Sequence, residues 1–154
     1  MVRTIELPER TVAIEAAPGL VFQVVAAGGT TVEERGPTEK VVEFQVRAGR
    51  STVVTRELVR LHPPNRIDYT WIDGPLPSVT ESIHLEAAPG GGTLVRYRGR
   101  FQPPRGPPSR IVGRLVIRRQ FDRAVRQHLA DAKRTAEQRQ ARSMMFRNSE
   151  EGVT

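Results

Sequence analysis

Two glutamates, Glu57 and Glu81, occupy positions at which the alternation of the sequence otherwise places mainly apolar side chains. The apolar faces are Val53, Thr55, Glu57, Val59 and Leu61 in segment 52–61, and Val79, Glu81, Ile83 and Leu85 in segment 79–86. A buried carboxylate must be paired, hydrogen-bonded or neutralised, because its isolated burial costs several kcal/mol. Each glutamate is therefore either a general acid or base with a raised pKa, near Tyr69 or Tyr97, or a strand-end carboxylate paired with an arginine.

His128 and four aromatic residues are further candidates for chemistry. The histidine falls on the apolar face of a predicted C-terminal helix, where it could exchange a proton with a bound ligand or serve as a core or rim residue. The aromatic residues could stack on an aromatic ligand or form plain core, and they are Tyr69, Trp71, Tyr97 and Phe101.

Several other kinds of site find no support in the sequence. The chain has no cysteine, which excludes disulfides, thiol nucleophiles and Cys-ligated metals. The three histidines are far apart in the sequence, so we expect no metal site, and we expect no cofactor. The run Gly90–Gly92 precedes neither a helix nor a Lys-Ser/Thr pair, and it predicts a hairpin turn rather than a phosphate-binding loop.

The elements that must position these residues are mostly β-strands. Alternating patterns closed by Gly, Pro or Asn predict strands at 11–16, 41–47, 52–61, 66–72, 79–86 and 93–101. Their short connections favour an antiparallel meander. A short helix is predicted to begin at about Pro18 and to end at Gly28-Gly29.

After the proline-rich stretch 103–108 the apolar period changes to that of a helix. Ser109 is the expected N-cap, and the helix is predicted to run to about Arg142. We expect a single domain over 1–142 and a flexible tail over 143–154. A curved sheet with one apolar face needs a cover, so the fold class is α+β, an antiparallel sheet wrapped around the long C-terminal helix.

This order of elements resembles the helix-grip fold of the START/Bet v 1-like superfamily, also called SRPBCC, and in particular its polyketide cyclase/dehydrase-like branch. Three phrases carry the resemblance over roughly 11–142: Thr11-Val-Ala-Ile-Glu-Ala-Ala-Pro18 with Val21-Phe22, the paired segments from Arg56 to Tyr69, and Gly92 to Phe101. The family usually has two short helices after its first strand. Here Gly28-Gly29 leads almost directly into strand-like sequence, so the second helix is short or missing and we expect a more open cavity mouth.

The resemblance implies a hydrophobic cavity between the sheet and the last helix, holding a polyketide, lipid or isoprenoid type of molecule. The ligand-binding residues that this implies are Phe22, Phe44, Tyr69, Trp71, Ile83, Phe101, Ile117, Phe121 and Val125. If the protein is an enzyme, the relatives imply a cofactor-free cyclisation or dehydration. Its proton-transfer candidates are then Glu57, Glu81, Tyr97 and His128.

The charge of the chain suggests an alternative role. The net charge is +7, and residues 110–142 alone hold seven more basic than acidic residues. This helix could be a solvated face, or it could bind RNA, a ribosome or an anionic membrane in a non-catalytic interaction protein. The arginines that could contact nucleic acid or anionic lipid are Arg118, Arg119, Arg123 and Arg126. No signal peptide or membrane span is evident, which predicts a cytoplasmic protein, either a monomer or a homodimer.

Overall fold

A computed structural model describes residues 4–48, 50–102 and 110–152 of the chain, without the side chains of 48 and 110–117. It contains ten helices and strands within those residues. In chain order they are β1 (Ile5–Glu6), β2 (Arg10–Ile14), α1 (Pro18–Ala26), β3 (Thr30–Glu34), β4 (Glu39–Ala48), β5 (Ser51–His62), β6 (Arg66–Asp73), β7 (Thr80–Ala87), β8 (Thr93–Phe101) and α2 (Arg110–Glu151). The predicted fold class, a helix-grip α+β fold, is confirmed.

The eight strands form one antiparallel sheet in the order β1-β8-β7-β6-β5-β4-β3, and β2 also pairs with β8. Each of the connections from β4 to β8 joins neighbouring strands, as the short turns of the sequence predict. The pairing of β5 with β6 shifts register next to Glu57, which faces Trp71. Such irregularities bend a strand and increase its twist, and so help to curve a sheet.

The alternation of burial along the strands agrees with the predicted faces. In β5, Thr55, Glu57 and Val59 are buried while Arg56 and Arg60 are exposed. In β8 the buried positions are Thr93, Val95, Tyr97, Gly99 and Phe101. The sheet therefore presents one concave, largely apolar face to the space beneath α2.

The first helix begins at Pro18, where the sequence places it, and no second helix follows it before β3. Residues 27–29 alone separate α1 from β3. Gly29 has a positive φ of 72°, and a side chain there would meet Val42 and Phe44 at less than 3 Å. Glycine therefore lets the chain turn tightly against the inner face of β4.

Polar contacts hold α2 against β2 and the start of α1. Arg10 donates two hydrogen bonds to the carboxylate of Asp122, at 2.8 and 2.7 Å. Further along the helix, Lys133 Nζ donates to the carbonyl oxygen of Ala13, and the side chain of Gln140 accepts from the backbone of Ala17. These contacts fix the helix along the open side of the sheet.

The predicted end of this helix at Arg142 is wrong, because α2 continues to Glu151. Residues 143–151 contain neither glycine nor proline, and Gly152 follows them. Helices end readily at glycine and pass through runs of methionine, arginine and glutamate. The expected N-cap Ser109 and the proline-rich stretch 103–108 lie outside the described residues.

Among residues 4–48, 50–102 and 110–152, no helix combines the length and the apolar character that crossing a membrane requires.

Candidate ligand-binding and active site

A cavity of about 510 Å³ lies between the concave face of the sheet, the end of α1 and the helix α2. Its walls are mainly apolar, and they include the two glutamates singled out from the sequence. A cavity of this size is in the range that encloses small organic ligands.

Glu81, on β7, has both carboxylate oxygens held by donors from neighbouring strands. The hydroxyl of Tyr97 donates to Oε1 at 2.6 Å, and the indole Nε1 of Trp71 donates to Oε2 at 3.1 Å. The register places Tyr69 opposite Glu81 on β6 and Gly99 opposite it on β8. The carboxylate is thus fixed in one orientation at the cavity wall.

Two glycines leave the space that these two donors need. A Cβ at Gly99 would lie 2.5 Å from the hydroxyl oxygen of Tyr97, and a Cβ at Gly74 would lie 2.7 Å from Cε3 of Trp71. Real Cβ atoms do not come so close to other heavy atoms, so any other residue at either position would displace the neighbouring ring. The absence of a side chain at both glycines therefore permits the orientation of Glu81.

Glu57, on β5, is buried, with 5% of its surface exposed. The hydroxyl of Thr55 donates a hydrogen bond of 2.8 Å to its Oε1. Burial, followed by the charge of Glu81, raises the pKa of Glu57 to about 8, against the smaller opposing effect of Thr55. Glu57 therefore carries a proton at neutral pH.

Burial also raises the pKa of Glu81, but the hydrogen bonds from Tyr97 and Trp71 favour its charged form and oppose this effect. The two carboxyl groups do not ionise independently, because the charge of Glu81 raises the pKa of Glu57. Glu81, with its two donors, is the member that ionises first. Among the described residues neither glutamate forms an ion pair with an arginine, the second role that the sequence leaves open for them.

Both tyrosines near the pair retain their protons. Burial and the neighbouring carboxylates raise the pKa of Tyr97 and of Tyr69 well above its ordinary value. The hydroxyl of Tyr97 therefore acts as a fixed hydrogen-bond donor to Glu81 at any physiological pH.

His128 lines the cavity from the helix side, and its ring centroid lies 6.0 Å from that of Phe44. The side chain is exposed, yet the surrounding protein removes part of its hydration. This desolvation lowers the pKa of His128, with Asp131 opposing it. The imidazole is consequently neutral at pH 7, when it can both donate and accept a hydrogen bond.

Aromatic rings form much of the remaining wall. Phe44 meets Tyr69 edge to face at a centroid distance of 6.1 Å, and Trp71 lies 5.5 Å from Phe121 on α2. Six of the predicted ligand-binding residues line the cavity, namely Phe44, Tyr69, Trp71, Ile83, Phe121 and Val125. Their contact with a ligand stays a prediction.

Two residues predicted to bind ligand do not line the cavity. Phe101 is buried in the core, where its ring stacks on Phe121 at 6.2 Å and its backbone pairs with Ile5 of β1. Phe22 packs against the core from α1, whose cavity-facing residues are instead Val24 and Val25. The side chain of Ile117, the remaining predicted contact, lies outside the described residues.

Four residues that matter to the geometry were missed in the sequence. Thr55 is placed on an apolar face without a role and Gly99 is not singled out, although Thr55 donates to Glu57 and Gly99 leaves space for Tyr97. Thr135 and Arg139 lie on the cavity-facing stripe of α2, seven and eleven residues after His128. This helical spacing is the signal that could have found them.

Within the described residues, no group of three or more His, Asp or Glu side chains is arranged to hold a metal ion. The four arginines proposed for nucleic acid or lipid are exposed on α2, and none of them lines the cavity. Arg126 pairs with Asp122 at 3.1 Å. A partner for this basic surface stays a prediction.

Comparison with solved structures shows the same fold in other proteins. TTHA0849 from Thermus thermophilus is 15% identical with a TM-score of 0.72, over 84% of this chain and 95% of that one. The Zhui aromatase/cyclase from Streptomyces sp. R1128 is 19% identical with a TM-score of 0.67, over 86% and 95%. The di-domain aromatase/cyclase StfQ from the steffimycin biosynthetic pathway is 18% identical with a TM-score of 0.71, over 88% of this chain and 51% of that one.

No curated protein matches the sequence significantly. The model of one family, described as polyketide cyclase / dehydrase and lipid transport, matches residues 9–137. This match covers most of the sheet and of α2. It includes both glutamates and the residues that donate hydrogen bonds to them, namely Thr55, Trp71 and Tyr97. The chain therefore belongs to the polyketide cyclase/dehydrase and lipid transport family.

Proposed function

We propose that this protein binds a polyketide-type molecule in its cavity and catalyses the closure and dehydration of a ring by acid–base chemistry. The observation that carries the proposal is the carboxylate pair. Glu57 is buried at the wall of an apolar cavity and protonated at neutral pH, and Glu81, held by two donors, lines the same cavity from the other side of β6. A protonated and an ionised carboxyl group that line one cavity can supply both the acid and the base of one reaction.

The ionised Glu81 removes a proton from a carbon that lies between two carbonyl groups of the ligand. That carbon then forms a bond to the carbon of a third, more distant carbonyl group. The oxygen of this group takes the proton of Glu57 and becomes a hydroxyl. Glu57, now ionised, then removes a proton from the neighbouring carbon, while Glu81 returns its proton to the departing hydroxyl, which leaves as water. Both carboxyl groups are restored, and the two steps need neither an oxidant nor a reductant.

The other predicted catalytic residues take supporting roles in this scheme. Tyr97 is a positioning residue, because its hydroxyl donates to Glu81 and keeps its own proton. His128 binds polar atoms of the ligand from the helix side, where the neutral imidazole can donate or accept. Phe44, Trp71 and Phe121 hold the flat, unsaturated parts of the ligand by stacking.

The test is the conversion of a synthetic linear triketo ester into an aromatic product, followed by absorbance. Glu57→Gln and Glu81→Gln should each slow the reaction about 100-fold or more, as expected for loss of a general acid or base. Glu34→Gln, on the exposed strand β3, removes the same charge away from the cavity and should leave the rate unchanged.

Binding is measured separately, through the fluorescence of Trp71, which lines the cavity and is the single tryptophan of the chain. Wild-type protein that binds the ester but accelerates nothing would refute the catalytic part of the proposal and leave a carrier. Equal rates for the wild type and both cavity variants would refute the assignment of the two glutamates.

A further inference from the structure

The part of the cavity farthest from the carboxylate pair has a polar wall that the proposed reaction does not use. The ring contacts show how the helix runs over the sheet. Phe121 contacts Trp71, which faces Glu57 in the register, whereas His128 contacts Phe44, which faces Thr55. Moving along α2 from 121 toward 140 therefore leads away from Trp71 and toward Ala17 at the start of α1.

Beyond His128 the helix adds polar groups to the wall of the cavity. The sheet contributes Val46, Val53 and the exposed Arg47 beside the β4–β5 turn. The helix contributes Thr135 and Arg139, about 10 and about 16 Å past His128 along the helix axis. These two residues and His128 lie on one stripe of α2, since their spacings of seven and four residues match whole helical turns.

The polar groups of this stripe have no partners within the described part of the chain. The structure gives the side chains of His128, Thr135 and Arg139 neither a hydrogen bond nor an ion pair there. The nearby acidic residue of the wall, Asp131, is paired with Arg134 at 2.7 Å and accepts from Gln127 at 3.1 Å. The guanidinium of Arg139 is thus an uncompensated positive charge at the end of an apolar cavity.

We propose that Arg139 and Thr135 form a subsite for an anionic group at the far end of an elongated apolar ligand, with His128 as a further donor along its path. The proposal rests on the proposed function, because it needs a ligand in the cavity. The two ends of the cavity carry charges of opposite sign. The ionised Glu81 repels an anion at one end, and Arg139 attracts one at the other.

The ligand class is accordingly a chain or a row of rings that ends in a carboxylate or a phosphate. A guanidinium binds either anion through paired N–H donors, and the threonine hydroxyl adds one more donor. A ligand of this class lies in a single direction, with its neutral end beside Glu57.

The experiment compares three probes that share one alkyl chain, namely 1-decanol, decanoate and decyl phosphate. Their binding is followed by the fluorescence of Trp71, since none of the three absorbs where tryptophan does. We expect the wild type to bind decanoate about 10-fold more tightly than decanol at low salt, as for one accessible charge-assisted contact. The decyl phosphate arm shows which anion the subsite prefers.

Arg139→Gln should remove most of the preference for decanoate while leaving the affinity for decanol unchanged, since Arg47 remains in the cavity wall, and Thr135→Val should weaken the preference. Arg142→Gln is the matched control, because Arg142 is an exposed arginine of the same helix that does not line the cavity. It removes the same charge three residues away.

If decanol and decanoate bind equally to the wild type, the anionic subsite is refuted while the apolar cavity stands. A loss of the preference in Arg142→Gln as large as in Arg139→Gln would also refute it, because the general charge of the helix would then be responsible. If none of the probes binds, the proposed ligand-binding function itself fails, and the subsite fails with it.

Discussion

Replacing Glu57 by glutamine should stabilise the protein, and the gain should grow as the pH rises. In the unfolded chain the carboxyl group ionises near its ordinary pKa of 4.5, whereas in the folded protein it keeps its proton up to about pH 8. Between these values the folded state binds the extra proton. The wild type therefore has its full free energy of unfolding, as far as Glu57 is concerned, below pH 4.5. It loses part of this free energy as the pH rises to 8.

The size of the effect follows from the same two values. They differ by about 3.5 pH units, and each unit corresponds to about 1.4 kcal/mol, so the full cost is at most about 5 kcal/mol above pH 8. Glutamine resembles the protonated acid, keeps an oxygen for the hydrogen bond from Thr55 and cannot ionise. The variant should therefore match the wild type near pH 4.5 and exceed it by several kcal/mol near pH 8.

Urea denaturation of both proteins at intervals from about pH 4.5 to about pH 8.5 measures this difference. The other titrating groups are the same in the two proteins, so their contributions largely cancel in the difference between the two free energies of unfolding. Glu34→Gln, on the exposed strand β3, is the control and should show a difference that does not change with pH. A constant difference between Glu57→Gln and the wild type would refute the reasoning, since Glu57 would then titrate alike in the folded and unfolded chains.

Two further predictions concern the groups around the pair. Glu81→Gln removes the charge that helps to raise the pKa of Glu57, so this pKa should fall below 8, as measured by NMR titration of the Glu57 carboxyl carbon; an unchanged pKa would show that Glu81 is not charged in the wild type. Gly99→Ala should destabilise the protein by about 1–3 kcal/mol and slow turnover, because the new methyl group displaces the hydroxyl of Tyr97 from Glu81. In a Tyr97→Phe background the same substitution should cost less, and an equal cost in both backgrounds would contradict this role of Gly99.

Much of the fold could be predicted because each level of the sequence agrees with it. The period of two along the strands correctly places Glu57 and Glu81 on the concave face, and Pro18 correctly marks the start of α1. The end of α2 was missed because the apolar stripe fades after Ala136, whereas the helix itself continues to the next glycine. The amphipathic pattern of a sequence shows which face of a helix is packed against the protein. The helix propensity of its residues determines where the helix ends.

The details of the site required information that a single sequence does not carry. Alternation shows which face a residue occupies but not how far along the groove it lies, and for that reason Phe101 was assigned to the cavity although it belongs to the core. The bonds from Tyr97 and Trp71 to Glu81 depend on the register of three strands and on a bulge beside Glu57. Neither the register nor the bulge is encoded in the period of any one strand.

The same proton should govern both the stability and the chemistry of this protein. Burial in the apolar wall makes ionised Glu57 costly, and that cost is what keeps the group protonated and able to act as an acid near neutral pH. Turnover should therefore fall as the pH rises through about 8, in the same range in which the wild type reaches its full loss of stability relative to Glu57→Gln. If activity declined at a different pH from the one at which this stability difference levels off, the proton needed for catalysis would belong to another group.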